Sequence, residues 1–194
     1  MYNKKMLTNF YEDLSSSEIK RISKKTVLIF PFSSIEQHGS HLPINTDKKI
    51  LEGILNEFNS KYSSKKYLIM PQIYIGSASE HKSYDGTLSL NSVDFIQYSI
   101  KIIEQLCKKK FKNIFLLNSH GGQISHLDII GKELKAKYDV TIIKGTYFLF
   151  DDFKGIISRK EKEYGYHGGE FETSLMLYLF PELVNFDKLT SYEY

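Results

Sequence analysis

Apolar residues along the chain fall into two kinds of run that take turns. Short continuous runs, Thr26–Phe30, Tyr67–Met70, Ile114–Leu117 and Val140–Ile143, have the length and composition of buried strands. Between them lie longer stretches with apolar residues at helical spacing. After Asp47, the residues Ile50, Leu51, Ile54, Leu55 and Phe58 make one apolar face, and Asp47 stands where an N-cap would sit. Asn91–Lys110 repeats the pattern with Phe95, Ile96, Ser99, Ile102, Ile103 and Leu106. A third helix leaves the turn at 118–123 and runs to about Tyr138. A last one follows 165–174 and ends near Leu179, with Pro181 as its stop. Residues 1–14 read as an irregular arm, and 15–23 as a short helix with a Ser cap and Glu18 in its first turn. Residues 144–164, aromatic and then charged, fit no single period. Strands alternating with helices predict an α/β fold, a three-layer α/β/α arrangement with a mainly parallel central sheet. No repeat or linker divides the chain, so 1–194 is expected to be a single domain.

Composition narrows the function classes. Hydrophobic residues at 41% and charged residues at 25% are ordinary for a soluble globular protein. The net charge of +3 is mild and its basic residues are scattered, which argues against a nucleic-acid partner. Lys108, Lys109 and Lys110 read as a solvated helix end. Cys107 is the single cysteine, so no intrachain disulfide can form. Met1–Phe10 lacks the apolar region of a signal peptide, and no window approaches the ~20 apolar residues of a membrane span. These features predict a cytoplasmic protein with no membrane partner.

The candidate chemistry lies in the polar connections. Residues 31–47 hold Glu36, His38, His41 and Asp47 between a strand and a helix. Two carboxylates and two imidazoles kept together call for a cation, and a divalent metal fits. In open α/β sheets ligands bind outside the carboxyl ends of the strands. There the loops 32–47, 118–123 and 165–172 are expected to converge. Glu36 and His38, two apart in extended chain, point to one side. Asp47 returns from the head of the helix. His120 follows the third strand, beside Gly121 and Gly122, and Glu170 follows two glycines at the head of the last helix. The count is three carboxylates (Glu36, Asp47, Glu170) and two imidazoles (His38, His120), with Asp47 as the choice for a bridge. Two divalent ions, three carboxylates and one bridging hydroxide balance to zero charge, as in a binuclear hydrolase. The donor set suits Zn, Mn or Fe. A hydrogen-bonded polar cluster without metal is the alternative.

Three blocks, Glu36-Gln-His-Gly-Ser-His-Leu-Pro-Ile-Asn-Thr-Asp47, Asn118-Ser-His-Gly-Gly122 and His167-Gly-Gly-Glu-Phe-Glu-Thr-Ser174, resemble the signature blocks of the creatininase family. Glu80-His81 with Gly86-Thr-Leu-Ser89 resembles a fourth, and the likeness runs from about residue 26 to 180. It implies a metal-dependent amidohydrolase on an α/β/α fold, commonly a homo-oligomer. It also implies ligands at Glu36, His38, Asp47 and His120. Creatininase itself draws a fifth ligand, a glutamate, from the position of Gly122. Other members draw it from the last block, here Glu170. The chain therefore resembles the non-creatinine branch, which includes formamide hydrolases and a peptidase that matures a cofactor precursor. Family members usually continue beyond the last helix, so the domain is expected to be C-terminally short.

The expected activity is hydrolysis of a small or cyclic amide, a small-molecule substrate, with two divalent ions as cofactor. Processing of a precursor peptide and a catalytically silent scaffold are the alternatives. His167 is expected to protonate the leaving nitrogen or to serve the oxyanion, against a purely structural role. Glu170 is expected at the catalytic centre with it. Glu172 orients a ligand histidine or pairs locally. Ser79, Glu80 and His81 line the pocket or form an ordinary exposed loop. His41 reads as structural, His126 as a packing or surface residue, and Cys107 as core.

Overall fold

The computed structural model describes residues 8–62, 64–151, 153–165 and 167–189. Four strands, β1 (Val27–Phe32), β2 (Tyr67–Ile69), β3 (Asn113–Asn118) and β4 (Thr141–Thr146), form one sheet in the order β2-β1-β3-β4. All neighbours are parallel, with Val27 opposite both Tyr67 and Asn113, and Asn113 opposite Thr141. The helices are α1 (Ser16–Lys20), α2 (Thr46–Tyr62), α3 (Ser92–Lys108), α4 (Ile124–Lys137), α5 (Arg159–Tyr164) and α6 (Glu170–Leu179).

Strand alternation explains the layers. Leu28, Phe30 and Phe32 of β1, with Ile114 and Leu116 of β3, face α3 and α4 through Phe95, Ile103, Leu127 and Ile130. Ile29 and Leu117 point the other way, onto Leu51 and Leu55 of α2. Beyond that layer, α6 packs on α2 through Ile50 and Met176. Both faces of β1 are covered, so its sequence reads as a continuous apolar run rather than an alternation.

Three expectations shift. β1 continues through Pro31 and Phe32, where the site loop was expected to begin. A proline is tolerated here because β2 has ended at Ile69. The Pro31 carbonyl accepts from Ile73 N–H at 2.9 Å, and its missing N–H falls beside the break. β4 runs to Thr146 and α5 occupies 159–164, within the stretch that showed no period. Residues 1–7 of the expected arm lie outside the described residues. In the remainder, Asn9 accepts from Ile69 N–H at 2.7 Å and Phe10 bridges to Ile69, so this segment adds to the β2 edge. The short helix forms as expected, with a capping box between Ser15 and Glu18. Among the described residues no helix is long and apolar enough to cross a membrane.

The strand order fixes where a site can form. From β1 the chain crosses outward to β2, then returns past β1 to β3. The direction reverses between β1 and β3, and the crevice at their carboxyl ends is the topological switch point.

Candidate metal centre

Five side chains from three connections meet in that crevice: Glu36 and His38 after β1, Asp47 in the first turn of α2, His120 after β3, and Glu172 in α6. None is more than 4% exposed. Asp47 lies one residue inside α2 and is not its cap. That place turns its carboxylate inward, where Oδ2 accepts from Ser34 Oγ at 2.6 Å. Ser119 Oγ donates to the backbone carbonyls of Phe32 and Asp47, joining β1, β3 and α2 at one point.

Each imidazole is tied to the backbone by one nitrogen and faces the buried carboxylates with the other, and the backbone-tied nitrogen of His120 also meets Glu80. His38 Nδ1 donates to the Glu36 carbonyl at 3.0 Å. Its Nε2 then faces Asp47 Oδ1 at 3.4 Å, Glu172 Oε2 at 3.5 Å and Glu36 Oε1 at 3.9 Å. His120 Nε2 donates to the Ser77 carbonyl at 3.1 Å, and its Nδ1 faces Glu36 Oε1 at 2.9 Å and Asp47 Oδ2 at 3.4 Å. Asn118 holds that turn, accepting from His120 N–H and donating to its carbonyl. A ring nitrogen left with its lone pair repels carboxylate oxygens. The contacts become favourable with a second proton on the ring, a proton on the carboxyl, or a cation between the groups. His38 Nε2 and Glu36 Oε2 are buried with no hydrogen-bond partner among the described residues. Ligand atoms of Glu36, Asp47 and His120 lie within 4.8 Å of one another, and so do those of His38, His167 and Glu172. The two oxygens of Asp47 are shared between the two imidazoles.

The family model described as creatinine amidohydrolase matches residues 12–193. The chain belongs to the creatininase family. It is 28% identical to the creatinine amidohydrolase of Pseudomonas putida, over 86% of this chain and 69% of that one. It is 24% identical to the mycofactocin precursor peptide peptidase of Mycobacterium ulcerans (strain Agy99), over 84% of this chain and 62% of that one, less than two thirds of that relative's length. A solved point mutant of creatininase superposes with a TM-score of 0.81 at 25% identity, covering 96% of this chain and 78% of that one. A Zn-Zn type creatininase variant superposes at 0.75 and 24% identity, covering 96% and 78%.

Within this creatininase-family site, Glu170, expected as the fifth ligand, stands apart from the other four. Glu170 is exposed and its Oε2 accepts from Ser158 N–H at 3.3 Å, away from the cluster. Glu172 is buried and reaches His38, while Gly168 N–H donates to its Oε2 at 2.6 Å. The phase of α6 decides between them. Glu170 shares a face with exposed Ser174, whereas Glu172 shares one with buried Met176. Gly168 lets the chain approach. Its φ is +64°, and a Cβ there would meet the His38 backbone at 3.2 Å.

An outer ring surrounds the five. His167 is half-buried, stacked on His81 with ring centroids 4.0 Å apart and an interplanar angle of 14°. Glu80 Oε1 lies 3.1 Å from His120 Nε2. Gly122 makes room for it, since a Cβ at 122 would run into that oxygen. His41 is buried and bonds Thr173 Oγ1 at 2.9 Å, in keeping with a structural role. His126 packs edge-on to Phe95, and Cys107 is buried. Ser34 escaped the sequence reading, because a serine after a strand carries no signal of its own.

The charges respond to one another. Burial pushes the Glu36 carboxyl up to about 7, with Asp47 adding to the effect and His120 offsetting part of it. Burial likewise raises Glu172. Burial acts to raise Asp47, but the facing imidazoles of His120 and His38 outweigh it and hold the carboxyl well below the carboxylate range. Burial opposes charge on His38 and His120, yet the surrounding carboxylates outweigh it and raise both. Without metal, the cluster draws protons onto its imidazoles, which is the same demand for positive charge that a cation would meet. His167 behaves oppositely. Burial first, then the neighbouring imidazoles of His38 and His81, lower it to about 3, so it is neutral near pH 7. A hydrogen bond from His120 holds Glu80 down to about 2.

Proposed function

We propose that this chain is a hydrolase of a small or cyclic amide that works with two divalent ions, Zn, Mn or Fe, held by Glu36, His38, Asp47, His120 and Glu172. The observation that carries the reading is the placement of Asp47. Its two oxygens face two imidazole nitrogens whose opposite nitrogens are committed to backbone carbonyls. A Zn-Zn creatininase variant with this fold supports a paired centre. Bound there, the ions would lower the pKa of water and polarise an amide carbonyl.

The chain's own groups do the positioning. Ser34 and the two backbone carbonyls orient the ligands. His167, neutral and at the mouth, offers an N–H to the carbonyl oxygen. This favours the oxyanion role over protonation of the leaving nitrogen. The cleft beside Glu36, Asp47, His120 and His167 measures ≈ 250 Å³, which suits a small substrate. The glutamate that creatininase draws from the position of Gly122 is missing here, and this supports an amide other than creatinine. Peptide processing is a second reading, favoured by the likeness to the Mycobacterium ulcerans peptidase. Exposed Leu149, Phe150, Ile156 and Tyr178 favour a homo-oligomer.

Metal analysis of the purified chain, followed by assay on small amides, cyclic amides, formamides and short peptides, tests the reading. About two ions per chain and turnover of a small amide are expected. A folded, metal-free protein that takes up no zinc, manganese or iron would sink it.

A further inference from the structure

Gln37 lies between two proposed ligands, and both ends of its side-chain amide are engaged. Its Oε1 accepts from Gly39 N–H at 2.9 Å. A backbone N–H can only donate, so the atom it meets is the amide oxygen and the other amide atom is the NH₂ nitrogen. That nitrogen lies 3.3 Å from His81 Nδ1 and 3.0 Å from His167 Nε2. Both ring nitrogens must therefore accept. A neutral imidazole carries one N–H, which leaves the proton on His81 Nε2 and on His167 Nδ1. These are the two nitrogens turned toward Glu36, 3.9 Å from its Oε2 and 3.7 Å from its Oε1. Both distances are too long for a hydrogen bond, so the N–H groups are not spent on the carboxylate. The stacked rings hold them side by side at the mouth of the crevice.

The same arrangement closes this corner to a metal. Glu36, His81 and His167 stand close enough together to act as ligands. Binding there would need lone pairs on His81 Nε2 and His167 Nδ1. The protons would then move to the opposite nitrogens and stand against the Gln37 NH₂.

We propose that Gln37 is a positioning residue that fixes the tautomers of His81 and His167, making them a paired N–H donor for a carbonyl or anionic oxygen of the substrate. The use of the pair rests on the hydrolase reading above; the tautomers do not.

The test is ring-nitrogen NMR on the full chain labelled with ¹⁵N-histidine, metal-free and then titrated with zinc. His81 is expected as the Nε2–H form and His167 as the Nδ1–H form. Zinc should move the His38 and His120 signals and leave both tautomers in place. In Gln37→Glu the carboxylate accepts, and both tautomers should reverse. In Gln37→Met, which lacks the donor, each ring should show a mixture. The proposal is overturned by the opposite tautomer on either ring in the unmodified chain, by zinc ligation of either ring, or by unchanged tautomers in both variants. If His38 and His120 ignore zinc while the tautomers and their reversal hold, the metal reading fails and the assignment to Gln37 stands.

Discussion

Four of the five proposed ligands come from two stretches of chain that are built differently, and His120 follows β3. The stretch from Ser33 to Asp47 is anchored at both ends. Ser33 N–H still bonds the Ile73 carbonyl as a continuation of β1, and Asp47 already belongs to α2. The stretch from Tyr147 to Glu172 leaves β4 through exposed Leu149 and Phe150, passes a six-residue helix, and reaches the site through Gly168. Its anchors are side chains. Glu161 of α5 accepts from Phe171 N–H at 3.0 Å and so holds the start of α6, while Glu172 accepts from Gly168 N–H. The first stretch takes its geometry from the sheet. The second depends on one glycine, one buried carboxylate and the phase of one helix. Damage to the first should abolish the centre; damage to the second should unbalance it.

Asp47→Ala should have the largest effect. It removes the group shared by both imidazoles and leaves Ser34 without its acceptor. Both ions should be lost in metal analysis, with zinc affinity reduced at least about a hundredfold. In the metal-free protein, breaking this buried charge cluster should cost about 3–5 kcal/mol in urea unfolding. Retention of two ions would show that Asp47 is not the bridge.

Glu172→Gln should separate the two halves of the centre. His120, Glu36 and Asp47 remain, so about one ion should stay while the site at His38 weakens by on the order of tenfold to a hundredfold. Equal loss of both ions would erase the distinction between the stretches. Gly168→Ala acts on the same half through the backbone. A residue with φ of +64° pressed to 3.2 Å from His38 should lose about 1–3 kcal/mol by urea unfolding, with binding at the His120 side preserved.

The contrast also accounts for what could be read from sequence. Val27–Phe30 and Ile114–Leu117 announce buried strands because both faces are covered, and the switch-point rule then places Glu36, His38 and His120 together. Those residues follow strands closely, so little freedom separates their position in sequence from their position in space. Pro31 reads as the end of β1 only because the sequence does not show that β2 has already stopped. Residues 144–164 show no period because buried Tyr147, half-buried Phe148 and Phe153 and exposed Phe150 and Tyr164 follow one another over short elements. Glu170 and Glu172 stand two apart at the head of one helix, and the flanking glycines made the first look like the ligand. Only the orientation of α6 on α2 settles which carboxylate turns inward.

Glu170→Gln should therefore have the smallest effect, and it sharpens the comparison most cleanly. Glu170 is exposed, and its carboxylate meets Ser158 N–H on the outer side of the 147–172 stretch. Glutamine keeps an acceptor there, and water can satisfy either group. The change in stability should stay within about 0.5 kcal/mol, as at ordinary surface positions. Metal content should equal that of the unaltered chain. Measured beside Glu172→Gln, the pair holds charge change, helix and chemical substitution constant and varies only the side of α6 on which the carboxylate lies. Loss of metal in Glu170→Gln with retention in Glu172→Gln would reverse the assignment. It would require the head of α6 to turn by about half a helical turn when metal binds, breaking the bond from Gly168 N–H to Glu172 and exposing Phe171. Phe171 is buried against Tyr147 and Phe153, so that rotation would have to strip an aromatic contact as well as a buried hydrogen bond. The packing that makes the second stretch hard to read thus also holds Glu172, and not Glu170, toward the imidazole of His38.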